Sequence, residues 1–349
     1  MRLFRNSIEN LKGYVPGFQP KESGFIKLNT NENPYPPSPK VLEALRDATG
    51  EKLRLYPDPV SDKLRDQIAS IFKVKRNWVI VGNGSDEILD LAVRATVGRN
   101  DKVFITDPTY ILFEVLAKVQ EAKVIRCPLG EGFDLPENLA VRGAKIVMIS
   151  NPNTPTGTLF KQKRIEEICR NASGLVLIDE AYVDFAESHC MDLVKKFRNV
   201  IVTRTLSKSF SLAGLRVGFA VSRPEVIETL MKIKDSYNVN RLSQIAALEA
   251  LKDLKWMKEA ARRIVRDREF LSDKLRVLGF EVIPSQANFV FAKHPSYPAF
   301  KLYKKLYDRK ILVRHFDLPR LKAYLRISIG THQEMIKLIK AIEEILNNK

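Results

Sequence analysis

Along the first two thirds of the chain, apolar residues recur in two alternating periods. SDKLRDQIASIF (61–72), SDEILDLAVRATV (85–97) and YILFEVLAKVQ (110–120) repeat Leu, Ile, Val or Phe at three- and four-residue intervals, which gathers one apolar face on a helix. Between and after them stand short unbroken aliphatic runs: WVIVGNG (78–84), KVFITDP (102–108), KVIRCP (123–128), KIVMIS (145–150), LVLIDEA (175–181) and VIVTRTLS (200–207). These are too short for helices and end at Gly, Pro, Asn or Ser, so they read as strands. A further helix is expected after Pro155, and Ser85 is placed as the cap of the helix that follows it. Strands apolar on both faces belong to a parallel sheet covered by helices on both sides. Residues from about Ser61 to Ala220 are therefore predicted to form an open α/β sheet.

After Ala220 the pattern changes to long helices from Arg223 to about Leu278. A strand pair follows, FEVIP (280–284) and NFVFAK (288–293), then a helix over PAFKLYKKLYDRK (298–310), strands ILVRH (311–315) and AYLRISIG (323–330), and a last helix. This predicts a second, α+β unit.

The length of 349 residues suits two such units, and 45% apolar with 28% charged residues is a globular mix that excludes disorder and fibrous repeats. No stretch approaches the 18 or so apolar residues of a membrane helix, and the basic N-terminus has no apolar core of signal-peptide length. A cytoplasmic protein with no membrane partner is expected. Cys127, Cys169 and Cys190 are scattered and form no C-x-x-C pair, so a reducing compartment and no metal site are expected. The net charge is +17, and residues 201–349, with 29 basic and 15 acidic residues, carry +14 of it. Those basic residues alternate with acidic ones and no nucleic-acid motif accompanies them, so they read as solvated helix faces, or as a field that draws anionic small molecules, with no nucleic acid as partner.

In an open α/β sheet, ligands bind beyond the carboxyl ends of the strands. Four junctions there carry unusual chemistry. GNGSDE (82–87) offers backbone N–H groups and the Ser85 hydroxyl to an anion, or is simply a capped helix start; it is neither a Walker loop nor G-x-G-x-x-G. SNPNTPTG (150–157) is on its own a turn that displays Asn151 and Asn153. In DEAY (179–182), Asp179 leaves an apolar strand; it either caps a loop or partners a protonated heterocyclic nitrogen. TLSKSFSLAGLRVG (205–218) places Lys208 directly after a strand, where an amine loses solvent and becomes usable as a nucleophile or Schiff-base former, and Arg216 stands eight residues on.

Taken in order, these four junctions resemble the fold type I pyridoxal-phosphate enzymes, the aspartate aminotransferase superfamily, over nearly the whole chain. The resemblance implies an α/β large domain with a mostly parallel seven-stranded sheet, residues 31–275, and a smaller α+β domain built from 1–30 and 276–349. It implies pyridoxal 5′-phosphate bonded covalently to Lys208, with Asp179 keeping the ring nitrogen protonated. Asn153 and Tyr182 would bond the ring 3-oxygen, and Tyr110 would stack on the ring. Ser85 with the amide of Asp86, Ser207 and Arg216 would hold the phosphate, and Tyr56, in RLYPDP, would reach the phosphate of the neighbouring subunit of a homodimer. Within the superfamily, LNTNENPYPPSP, RLYPDP, GNGSDEILD, DEAYVDF, YNVNRLSQ, ILVRHF and YLRISIGT are most similar to the members that transaminate histidinol phosphate with 2-oxoglutarate. For that reaction Lys208, Asp179 and Tyr182 are the expected catalytic residues and Arg326, Arg314 and Asn33 the expected substrate contacts. The alternatives are a threonine-phosphate decarboxylase or a broad aromatic aminotransferase. Two departures stand out: the usual N-P-N-N-P-T-G reads NPNTPTG, and the usual glycine after NENPY is Pro36.

Overall fold

The structure is a computed structural model and describes residues 3–13, 16–139 and 141–347. Its strands, in chain order, are β1 (Ile26–Lys27), β2 (Val79–Asn83), β3 (Lys102–Asp107), β4 (Lys123–Pro128), β5 (Ile146–Ser150), β6 (Leu175–Asp179), β7 (Val200–Thr205), β8 (Val217–Ser222), β9 (Glu281–Ile283), β10 (Phe289–Lys293), β11 (Ile311–Leu312), β12 (Arg314–His315) and β13 (Leu325–Ser328).

Seven of them form one sheet in the order β2-β8-β7-β6-β5-β3-β4, parallel except for β8, which runs antiparallel to both neighbours. Six of these seven strands are legible as aliphatic runs. The seventh, β8, has the sequence VGFAVS and lies inside the phosphate-site motif, where its glycine breaks the run. Successive residues of each strand enter opposite cores. Val79, Val81, Phe104, Val147, Val176, Ile178 and Val202 pack on one side, Ile80, Val103, Ile105, Met148, Leu177 and Ile201 on the other. At ~1.5–3 kcal/mol for each fully buried aliphatic side chain, this two-sided burial makes the sheet the rigid part of the molecule. The chain turns outward from β3 to β4 and then returns to β5, so a crevice opens beyond the carboxyl ends of β3 and β5.

The second sheet is four-stranded and antiparallel, β12-β13-β10-β9. The segment ILVRH is not one strand: Ile311–Leu312 pairs with Ile26–Lys27, whereas Arg314–His315 pairs with β13. The N-terminal segment is thereby tied to the C-terminal unit, and Phe25 and Phe18 add ring contacts to Tyr307 at 5.5 and 6.2 Å. The helix Leu254–Val277 joins the two units, and its buried residues from Met257 to Leu275 lie in the same core as the four-stranded sheet. Among the described residues no helix is long and apolar enough to cross a membrane.

Candidate active site

Asp179 ends β6, in register with Ser150 of β5 and Thr203 of β7. Its carboxylate is only 3% exposed, and the Thr203 hydroxyl donates to Oδ1 at 3.0 Å. Burial pushes its pKa up to about 7; the Thr203 bond and the Ala181 amide oppose the shift, and the charge of Asp86 adds to it. A carboxylate in this position returns to its ionised form when a cation is placed beside it.

Lys208 follows the end of β7 by three residues. Its Nζ donates to the Thr30 carbonyl at 3.3 Å and stands 5.8 Å from the Tyr182 ring centroid. The backbone under it is clamped. Asn33 Nδ2 donates to the carbonyls of Lys208 (3.1 Å) and Ser209 (3.0 Å), and the Ser209 hydroxyl bonds the Asp184 carboxylate. Arg204 in turn bonds buried Glu180 at 2.9 Å. Asn33, expected to touch substrate, is thus committed to the lysine loop and is not on the cavity wall. Asn31, two residues earlier, takes the inward position: its Nδ2 donates to Tyr182 Oη at 3.0 Å, while its Oδ1 accepts from Ser328.

At the other end of the cavity lie Ser85, Asp86, Ser207 and Arg216. The helix Ser85–Thr96 is capped by Gly84, at φ +80°, and Ser85 is its first residue, so the predicted capping role passes to a glycine. Glycine suits that cap because φ is positive and a Cβ on Gly84 would sit 2.6 Å from Arg216 Nη2; β8 also crosses so closely that a Cβ on Gly218 would sit 2.3 Å from the Ser85 nitrogen. Arg216 donates to Ser207 Oγ at 3.4 Å and pairs with Asp86 at 3.0 Å, and Tyr110 Oη reaches Asp86 at 3.3 Å. First-turn amides of a 12-residue helix, a guanidinium and two serine hydroxyls make a cradle for an anion.

The facing wall comes from the second sheet. Arg314 and Arg326 are direct cross-strand partners on β12 and β13, each 5.4 Å from the Phe316 ring centroid. Arg326 donates to the Asn29 carbonyl (2.9 Å) and to Thr154 Oγ1 (3.4 Å); Arg314 donates to the Pro16 carbonyl (3.4 Å). Like charges opposite one another in a ladder repel, so an anion between them is favoured.

These groups border one cavity of about 750 Å³, whose wall includes Asp179, Lys208, Tyr182, Tyr110, Ser85, Ser207, Arg216, Arg314 and Arg326. Two other expected residues are elsewhere. Asn153 is fully buried behind the wall, with Nδ2 bonded to the Pro108 carbonyl and to Thr156; its neighbour Thr154 lines the cavity instead. Tyr56 is 77% exposed and stacks on Tyr237 at 4.5 Å, away from this chain's cavity. Thr30 and Asn31 are not legible in the sequence, because the alternation of LNTNENPY does not reveal which polar residues face inward, and Thr203 lies within the aliphatic run of β7.

The family model described as aminotransferase class I and II matches residues 23–342. The chain is 47% identical over 347 residues to the histidinol-phosphate aminotransferase of Citrifermentans bemidjiense, covering 99% of each chain. Its structure resembles that of the histidinol-phosphate aminotransferase of Sinorhizobium meliloti in complex with pyridoxal-5′-phosphate, with a TM-score of 0.88, 24% identity, and coverage of 100% of this chain and 98% of that one. It also resembles the L-threonine-O-3-phosphate decarboxylase of Porphyromonas gingivalis, with a TM-score of 0.82, 22% identity, and coverage of 92% and 99%. At these identities the two solved structures speak for the fold.

Proposed function

The chain belongs to the class I and II aminotransferases, and from that premise we propose that it moves an amino group between L-histidinol phosphate and 2-oxoglutarate, with pyridoxal phosphate held at Lys208. The observation that carries this reading is the single cavity in which buried Asp179 and clamped Lys208 meet an anion cradle at one end and a cross-strand arginine pair on the facing wall. The donor set fits the cofactor. A cation in the cavity would return Asp179 to its ionised form, the Ser85, Ser207 and Arg216 cradle offers donors to an anion, and Tyr110 presents a ring to the same cavity.

Pyridoxal phosphate, when bound, supplies an electron sink for the charge left as the substrate Cα loses its proton. The remaining work is done by the chain's own side chains. Asp179 holds the proton on the ring nitrogen; its Thr203 bond fixes which oxygen faces the cavity. Lys208 Nζ binds the cofactor and, once displaced by the substrate amine, takes the Cα proton as general base. The Asn33 and Asp184–Ser209 contacts confine that motion to the side chain. Arg326 pairs with the carboxylate of glutamate through its guanidinium fork, and with Arg314 it binds the phosphate of the other substrate.

Tyr56, exposed in one chain, serves the phosphate of a partner subunit in a homodimer, and the site works in the cytoplasm on small anionic substrates. Residues 31–275 form the cofactor-carrying part and 1–30 with 276–349 the part that carries the arginine pair. A steady-state assay with histidinol phosphate and 2-oxoglutarate should yield glutamate, with histidinol a far poorer donor, since it brings no phosphate to the half-buried arginine pair. Carbon dioxide release from threonine phosphate without amino transfer would make the chain a decarboxylase instead.

A further inference from the structure

The two walls of the cavity meet at a seam in which the connection from β12 to β13 leaves its own sheet. Phe316 and Leu321 of that connection are buried in one core of the seven-stranded sheet, together with Leu129 and Phe133 from the loop after β4. The Phe133 ring packs edge-on against Phe291 of β10 at 5.8 Å and against Tyr324 at 5.6 Å, and those two rings stack at 4.5 Å. Arg320 stands where the seam borders the cavity. One terminal nitrogen of its guanidinium donates to the Asp107 carbonyl and the other to the Leu129 carbonyl, at the adjacent ends of β3 and β4. Its carbon lies 5.8 Å from the Phe133 ring centroid. Both partners are backbone carbonyls, which accept without carrying a full charge, so the planar fork is a bolt between the walls and not an ion pair. On one side of the bolt, Asp107 precedes Tyr110 by three residues. On the other, Phe316 precedes Arg320 by four, and its ring is 5.4 Å from both Arg314 and Arg326.

We propose that Arg320 is a positioning residue that fixes the spacing between the arginine pair and the wall that carries Lys208 and Asp179. This rests on the roles proposed above for Arg314 and Arg326. Arg320 acts through the two carbonyls and through Phe316, whose place beside both guanidinium groups it holds. Without the bolt, Lys208 and Asp179 keep their positions at strand ends of the seven-stranded sheet, whereas the arginine pair is free to drift from them. The loss falls on substrate binding, equally in the ground state and the transition state, and such a loss raises KM while leaving kcat in place. A lysine at 320 would keep the charge but not the fork, which separates positioning from a simple need for positive charge at the rim.

The test compares cofactor-loaded wild type, Arg320→Ala and Arg320→Lys by steady-state kinetics with histidinol phosphate and 2-oxoglutarate, by visible absorbance and by the cofactor dissociation constant. Arg320→Ala should raise KM for both substrates about tenfold, with kcat and cofactor affinity within about twofold of the wild type and the visible band unchanged. Arg320→Lys should show the same rise. Because Arg320 is exposed, guanidinium ion at low millimolar concentration can reach its place, and it should bring KM of Arg320→Ala back toward the wild-type value while leaving the wild type unaffected. Wild-type KM values in Arg320→Ala would overturn the proposal, and so would wild-type values in Arg320→Lys, which would show that charge alone suffices. A fall in kcat or a changed visible band with KM unaltered would also overturn it. If Arg320→Ala fails to fold, Arg320→Gln decides between the same results, since it keeps much of the stem. A wild-type protein that does not transaminate histidinol phosphate would instead overturn the roles given to the arginine pair.

Discussion

The two walls of the cavity are built on opposite electrostatic principles. The wall made by the seven-stranded sheet hides the carboxylate of Asp179 in a dry strand end where ionisation is disfavoured until a cation arrives. The wall made by the four-stranded sheet does the reverse, setting two guanidinium groups opposite each other in a ladder, partly exposed. Burial on the first wall selects one partner and holds it in one orientation, as a cofactor requires. Two adjacent guanidinium groups on the second suit either a carboxylate or a phosphate, and two chemically different substrates that alternate in one site need that tolerance.

Substitutions that reach across this contrast should rank by wall. The largest effects belong to the buried side. Lys208→Ala should lose covalent attachment and about 10³-fold or more in turnover, and Asp179→Asn should stay folded, keep some cofactor and lose on the order of 10³-fold, measured in the overall transamination. Near-normal turnover in cofactor-loaded Asp179→Asn would dissolve the contrast. On the charged side, Arg326→Ala should slow both half-reactions about 10²-fold, while Arg314→Ala should slow only the half-reaction with the phosphorylated substrate, read by single-turnover absorbance. Equal losses in both halves for both variants would mean that the two arginines act as one group.

A smaller effect is expected at Tyr56, where removal of the hydroxyl in Tyr56→Phe should weaken cofactor binding about tenfold. Hybrid dimers of Tyr56→Phe and Lys208→Ala should regain activity under subunit exchange if the tyrosine serves the partner's site. A separate effect concerns stability without cofactor. With a folded-state pKa of about 7 against an ordinary 3.8, Asp179 keeps a proton that the unfolded chain releases between those values, so stability falls as pH rises through that window. Denaturation of cofactor-free protein at pH 8 should find Asp179→Asn more stable than the wild type by on the order of 2–4 kcal/mol, with the difference gone near pH 4.

Which features the sequence disclosed follows the same division. Parallel strands buried on both faces announce themselves as aliphatic runs, and the chemistry at their ends follows from the fold, so Asp179, Lys208, Ser85, Ser207 and Arg216 are legible as strand-end residues, and all five line the cavity. What was not legible depends on a one-residue choice of facing. Alternating polar segments such as LNTNENPY and NPNTPTG do not say which residue of each pair turns inward, and the structure puts Asn31 and Thr154 there, with Asn33 and Asn153 behind as braces. Strand β8 escaped notice because Gly218, required by its close approach to Ser85, interrupts its apolar run. The split of ILVRH into two strands arises from partners more than 280 residues apart, a pairing no local pattern encodes.

The central claim is that the amine at the end of β7 carries the cofactor opposite a buried carboxylate. It is tested most directly by reducing the cofactor-loaded protein with borohydride and mapping the labelled peptide. The account predicts a single pyridoxyl group on Lys208, in the peptide containing SKSFSLAGLR; a label on any other lysine, or none in a protein that turns over histidinol phosphate, would contradict it.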